Sequence, residues 1–481
     1  MMKGLLLLLL ITVFLSTFAS AQKTGVRFQS SDTALQNAFT WASTMALHYR
    51  GHPGDPVGAW YESALPPRFA FCMRDVSHMS IGAEILGMHP ENKNMFTLFT
   101  TNISASKDWC SYWEIDKFNR PSPSDYRNDR EFWYNLDANF DLIDACWRSW
   151  SWTGDTMYLK NPVFLQFYSR SVNEYIHSWV LQPDSLLTRP AHPNAPVPFN
   201  MEDAFHRCRG LPSYSEGVPN LKMGVDLVAA LYRGLTSYAL ILRANGNEKA
   251  SAGWLQKANQ YRQRIDNDWW DAGTSLYNTY FTNEHRFGKT EGEAFLLWFD
   301  ALADTARKRK TIEHLMQLDL NIENQSYLPL QYYKNGYWDQ AHALTLHLAN
   351  PATERREYPE VSFGVVEAIV QGLMGVEPNA LTHTVSTLFR SIGTRRCQLS
   401  DLPILNTTLA ITHFNHTRSA MTNTGHHLVK WRAQFAGDYK TAFINRTTVR
   451  RTSHEKDPQG QLISYLEVEV PSGKEVSIVV K

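Results

Sequence analysis

The chain has 481 residues and carries 47 basic and 47 acidic side chains, so its formal net charge is zero. With no polybasic run, this balance argues against a nucleic-acid interface and against an electrostatically held membrane protein. Aromatic residues make up 12% of the chain, including 15 Trp and 21 Tyr, a density that suits stacking on the C–H faces of sugars.

Residues 1–21 read as an export leader. Lys3 supplies positive charge, Leu5 to Phe18 is mostly apolar, and Ala19-Ser20-Ala21 forms a cleavage site, so the mature chain is expected to start at Gln22 in the periplasm or outside the cell. The apolar run is short for a membrane span, and no later stretch reads as long enough. Cys72, Cys110, Cys146, Cys208 and Cys397 are odd in number and widely spaced, which fits neither a disulfide framework nor a zinc motif; one pair is left open as a bridge. No cofactor is called for.

In chain order, 33–50 reads as an amphipathic helix. A Gly/Pro loop follows. The stretch Gly58 to Glu91 then divides into an aromatic loop, with Trp60, Tyr61 and Glu62, and a helix capped by Asp75 or Ser77 and ended by Gly87. Arg74 and Asp75 sit at the start of that helix. Residues 91–106 and 129–153 read as helices, the latter with Asp137 and Asp141 four apart on one face, and another spans 157–181. Residues 183–220 hold seven prolines and form the longest irregular segment, the kind of loop that is usually functional. Helices are predicted again at 222–244, 248–270, from about 290, at 305–318, 337–348, 361–374 and 379–392, with E-N-Q-S-Y-L-P as a loop between two of them. After about Ser400 the period changes to two, with β-branched runs between N-T-G, P-Q-G and P-S-G turns.

This rhythm predicts an all-α dominated fold, an (α/α)6 toroid of helical hairpins over 22–398, followed by a small β-sandwich-like region over 399–481. Three segments carry a resemblance to a known superfamily: C-M-R-D-V-S-H, the helix end W-R-S-W-S-W-T-G-D, and R-E-Y-P-E-V before the last hairpins. Together with the helix pairs over 33–395, they resemble the six-hairpin glycosidases. Arg74-Asp75 looks like the W-x-R-D segment of exo-mannosidase relatives, which would help hold the sugar, although Cys72 stands where that segment has tryptophan. The chain departs from the rhamnosidase pattern, and no trehalase signature is found.

The resemblance implies a carbohydrate substrate. Glycoside hydrolysis needs two carboxyl groups facing the sugar, one of them protonated. Glu216, in P-S-Y-S-E-G-V-P, is the expected catalytic acid, because Tyr214 gives an apolar wall and Gly217 allows close approach. Asp75 and Glu360 are its expected partners from other hairpins. Substrate contacts are expected from Trp60, Tyr61, Glu62, Arg74, Glu202, Asp203, His206, Arg207, Arg209, Tyr214 and Glu291; the arginines of F-H-R-C-R-G would grip a uronate carboxylate as a fork. His78, His52 and the His426-His427 pair read as structural, and no metal site is expected. Two rival readings remain: a polysaccharide lyase using His206, Tyr214 and Arg209, and a sugar-binding protein without turnover.

Overall fold

The structure is a computed structural model that describes residues 25–63, 67–207, 210–215 and 217–481. The expected leader, Arg209, Cys208 and Glu216 lie outside the described residues.

Among the described residues, twelve of the helices alternate between two concentric layers. They are α1 (Thr33–His48), α2 (Met73–Ile85), α3 (His89–Thr101), α4 (Ala138–Thr153), α5 (Pro162–Arg170), α6 (Val225–Ala244), α7 (Glu248–Arg264), α8 (Ala294–Trp298), α9 (Thr305–Leu315), α10 (Ile322–Lys334), α11 (Trp338–Ala349) and α12 (Pro359–Glu367). The even-numbered helices pack in the cyclic order α2, α4, α6, α8, α10, α12 and back to α2, which closes an inner ring among the described residues. The sequence explains the layering. Every residue of α2 is buried, as it must be for a helix walled in on all sides. In α7 only Ser251, Ala258 and Tyr261 are buried, the single stripe of an outer helix. Asp32 caps α1 by accepting the Ala34 and Leu35 N–H groups, and Asn321 caps α10 by accepting that of Asn324. By length and composition α6 would cross a membrane, a case the sequence reading did not anticipate, but it is a buried wall of the ring.

Three inner seams are closed by glycine. A Cβ on Gly82 of α2 would lie 2.6 Å from the Phe363 carbonyl oxygen of α12. One on Gly234 of α6 would lie 2.6 Å from Phe140 Cβ of α4, and one on Gly364 of α12 would lie 2.7 Å from the Ser326 carbonyl oxygen of α10. At these points the glycine backbone meets the neighbouring helix directly, with no side chain of its own between them.

The strands named here are β1 (Arg27–Ser30), β2 (Glu377–Asn379), β3 (Thr384–Leu388), β4 (Arg396–Ile404), β5 (Thr407–Phe414), β6 (Arg418–Asn423), β7 (Val429–Ala436), β8 (Thr441–Ile444), β9 (Thr448–Arg451), β10 (Ser453–Lys456), β11 (Leu462–Val470) and β12 (Lys474–Val480). They build a sheet in the order β1-β4-β5-β6-β12-β8-β9 and another in the order β2-β3-β7-β11-β10. β5 alternates buried and half-exposed along its length, as a half-buried strand should. Residues 379–392, expected as a helix, instead contain β3: the run T-V-S-T-L is β-branched and pairs in parallel with β7. The sheets dock on the C-terminal end of α4, where Trp152 Nε1 donates to the Pro403 carbonyl at 2.9 Å and the Leu405 N–H donates to the Trp152 carbonyl at 2.8 Å. The four described cysteines, Cys72, Cys110, Cys146 and Cys397, are buried.

Candidate active site

The opposite end of the inner ring is where its helices begin, and each begins with acid. Asp75 lies in the first turn of α2, Asp141 in that of α4 with Asp137 at its cap, and Asp226 in that of α6. Glu293 occupies the N-cap position of α8, while Glu323 and Glu360 lie in the first turns of α10 and α12. Unpaired N–H groups and the helix dipole favour negative charge at these positions. Six helix starts converging on one opening therefore concentrate carboxyl groups there.

One guanidinium sits among them. Arg74 Nη2 lies 2.9 Å from Asp75 Oδ1 and 2.9 Å from Glu323 Oε1. Its guanidinium carbon lies 4.8 Å from the centre of the Tyr214 ring and 5.5 Å from that of Trp113. Tyr214 stacks on Phe295 with ring centres 3.8 Å apart, donates its O–H to Glu323 Oε1 at 2.9 Å, and has its own N–H held by Asp226 Oδ2 at 2.9 Å. Asp75, Glu323 and Glu360 each bring one carboxylate oxygen within 4.8 Å of the others.

Such crowding decides protonation. Burial, then Glu323 and Asp75, push Glu360 well above the usual carboxyl range, against the pull of Arg74 and the Tyr327 hydroxyl that bonds it. Burial raises Asp141 in the same way, and Asp137 and Asp226 rise through burial and their charged neighbours. Ser213 Oγ donates to both oxygens of Asp137, at 2.6 and 2.5 Å. Asp75, Glu323 and Glu360 are spaced for a cation, but Arg74 already brings positive charge to Asp75 and Glu323. A second such group, Glu131, Asp203 and His206, has Arg127 Nη1 2.6 Å from Asp203.

A cleft of about 630 Å³ opens above this floor, lined among others by Arg74, Tyr214, Tyr280, Glu291, Asn321 and Glu323. Glu323 is the floor acid that reaches it, with 18% of its side chain exposed. Glu291 accepts from Asn321 Nδ2 at 2.6 Å and Asn324 Nδ2 at 3.2 Å, and burial raises its pKa.

The structure thus brings Arg74, Asp75, Tyr214, Glu291 and Glu360 together, and it moves other expected contacts elsewhere. Trp60 and Tyr61, expected at the mouth, are core: Trp60 Nε1 donates to Asp55 at 2.7 Å, and the Tyr61 hydroxyl donates to Asn92 at 2.8 Å while its ring packs on Phe363. Both rings are too large and apolar to leave in solvent when the ring interior offers them partners. Glu62, also expected to touch substrate, is buried and accepts the Phe69 and Ala70 N–H groups at 2.8 and 3.3 Å. Asp203 and His206 belong to the network around Arg127 and Glu131, while Glu202 and Arg207 are exposed and absent from the cleft lining. Glu216 lies outside the described residues; its neighbours Ser215 and Gly217 line the cleft. Glu323 and Asp226 were missed. The segment around Glu323 reads as a loop because of Pro329, yet Pro329 lies inside α10. The signal that would have found it is Asn321, a cap residue, with an acid two positions on.

Comparison with known proteins accords with this geometry. The family model described as Trehalase matches residues 214–343, which contain Tyr214, Asp226, Glu293 and Glu323. This corrects the sequence reading, which found no trehalase signature. No curated protein sequence matches the chain. Among solved structures, the GH78 family rhamnosidase of Bacillus sp. GL1 superposes with a TM-score of 0.57 at 12% identity, covering 81% of this chain and 40% of that one. The alpha-L-rhamnosidase from Dictyoglumus thermophilum gives 0.60 at 10% identity, covering 95% and 50%. The chain therefore spans no more than half the length of these rhamnosidases. A glycosidase gives 0.50 at 11% identity, covering 74% of this chain and 99% of that one. These likenesses give the fold as an (α/α)6 toroid of helical hairpins.

Proposed function

We propose that this toroid is a glycoside hydrolase whose reacting carboxyl groups are Glu360 and Glu323. The observation that carries the reading is their unlike surroundings at close range. Glu360 is buried and its proton is held by crowding, the condition of a general acid. Glu323, within 4.8 Å of it, is ion-paired with Arg74 and faces the cleft, the condition of the partner that attacks the sugar or activates water. Tyr280, half-buried in the cleft lining, offers a ring to the sugar. Among the described residues, the two cations that line the cleft are committed, Arg74 to Asp75 and Glu323 and Lys289 to Asp271 at 2.8 Å, which favours a neutral sugar over a uronate.

Asp75 then holds Arg74 in place. Glu216 is the second candidate acid, because its neighbours Ser215 and Gly217 line the cleft. Export through the leader at 1–21 belongs to the same reading; an intact mass beginning at Gln22 would support it.

A screen of the mature protein on aryl-glycosides and neutral oligosaccharides tests the activity. Glu360→Gln should slow turnover of a natural glycoside by roughly 10²–10⁴-fold and be relieved by an activated aryl leaving group that needs no proton. Glu323→Gln should be as slow with either leaving group. Loss of proton donation in Glu216→Gln instead would transfer the acid role to the loop.

A further inference from the structure

Behind Glu360 lies a chain of polar groups that the reaction does not touch. The Tyr327 hydroxyl of α10 bonds Glu360 Oε1 of α12. On its other side the same hydroxyl lies 3.2 Å from His78 Nδ1 of α2. His78 Nε2 then faces Asp141 Oδ1 of α4 at 3.6 Å, just beyond a formed hydrogen bond. Neither that nitrogen nor either oxygen of Asp141 has another hydrogen-bond partner among the described residues, and both side chains are fully enclosed. Buried polar atoms that have only each other to turn to are expected to pair. Rings seal the path: His78 stacks on Phe295 at 5.6 Å and has Trp298 at 5.4 Å and Tyr327 at 5.1 Å. A void of about 10 Å³ beside Glu360 and His78 is the remaining space.

We propose that Asp141, His78 and Tyr327 are positioning residues that form a buried proton relay to Glu360, so that one proton is exchanged between the two carboxyl groups without passing through the cleft. In one direction the Asp141 proton moves to His78 Nε2, the Nδ1 proton moves to the Tyr327 oxygen, and the Tyr327 proton moves to Glu360 Oε1. The imidazole ends neutral with its tautomer reversed, the phenol ends neutral, and the net change is one proton from Asp141 to Glu360. The reverse sequence returns that proton to Asp141, and Glu360 takes a new one from the water consumed in hydrolysis, which restores the start. After Glu360 has protonated a leaving oxygen, this transfer recharges it while the cleft is still occupied by product.

The fields on the relay are those of the floor. Arg74, Asp75 and Glu323 face Glu360; Arg74, Asp75, Glu323 and Arg148 face His78; Arg74, Asp75, Asp144 and Asp226 face Asp141. Burial holds the His78 ring neutral, with its pKa lowered to about 3, which a tautomer-exchanging relay requires. This inference rests on Glu360 as the acid of the proposed hydrolase.

The test is a double-mutant cycle on the mature chain with two readouts. The first is the 15N spectrum of histidine-labelled protein. Glu360→Gln should change the ratio of the two neutral His78 tautomers in the wild-type background and leave it unchanged in the Tyr327→Phe background. The second is the alkaline limb of the pH–rate profile on any glycoside turned over. Asp141→Asn should move it by about one pH unit when Tyr327 is present and not when Tyr327→Phe breaks the chain. A His78 tautomer ratio indifferent to Glu360→Gln overturns the relay. So does an Asp141→Asn shift of equal size in both backgrounds, which is through-space charge alone. If no glycoside is turned over, the hydrolase reading fails, and the tautomer readout still decides the relay.

Discussion

Replacing Arg74 by methionine keeps much of the side-chain volume and removes the guanidinium that pairs with the acids on the floor of the ring. The guanidinium is 11% exposed, bonds Asp75 through Nε at 3.1 Å and Nη2 at 2.9 Å, and bonds Glu323 at 2.9 Å. Removing one partner of a buried ion pair costs about 3–5 kcal/mol, because the charge left behind has neither water nor counter-ion. Here two carboxylates are left and Glu360 loses its opposing charge, so the upper end of that range is expected at neutral pH. The cost should depend on pH in a definite direction. Without the guanidinium, the two stranded carboxylates carry uncompensated buried charge, and taking up protons as pH falls removes it. The deficit should therefore shrink as pH falls toward 4. Urea unfolding of wild type and Arg74→Met at pH about 7 and about 4.5 measures it. A deficit of the same size at both pH values would mean that Arg74 acts by packing against Tyr214 and Trp113, not by charge, and would refute the reasoning.

Three further outcomes are expected. Burial raises Glu62 from 4.5 to about 7, so its share of stability is complete below pH 4.5 and lost as pH rises through about 7; Glu62→Gln should flatten the fall in urea midpoint over that window. Burial lowers His89, but hydrogen bonds and charge from Glu84 and Asp155, at 3.1 Å each, outweigh it and raise its pKa. The clamp it makes between α2 and the end of α4 should hold below the unfolded value of 6.5 and weaken as pH rises through the folded value; His89→Gln should melt with a smaller acid–alkaline difference. Gly234→Ala gains helix propensity but drives a methyl against Phe140, and should destabilise by about 1–3 kcal/mol in urea; a stabilised variant would show that the seam yields freely.

Legibility in the sequence followed the strength of the local signal. The inner helix at α2 was readable because apolar residues recur at helical spacing and Gly87 ends it in the left-handed region, at φ 76°. The terminal sheets were readable because β5 and β12 alternate cleanly. Glu323 was hidden by Pro329, which a helix interior rarely tolerates and which here is held by the packing around α10. Trp60 and Tyr61 were misplaced because an aromatic loop looks the same in sequence whether its rings face a sugar or the core. The acid floor was half visible: each carboxyl group is an ordinary first-turn residue of its own helix, and only closure of the ring makes the six helix starts neighbours.

The glycine seams bear on how the protein can vary. Where Gly82, Gly234 and Gly364 sit, glycine backbone bears directly on the neighbouring helix, with no side chain of its own to shorten. The inner ring is in this respect an inextensible hoop. Its circumference fixes the diameter of the opening and hence the separation of carboxyl groups on opposite helices. A protein built this way can change what it accepts by altering the loops that rise from the rim, while the hoop keeps the acid constellation in gauge.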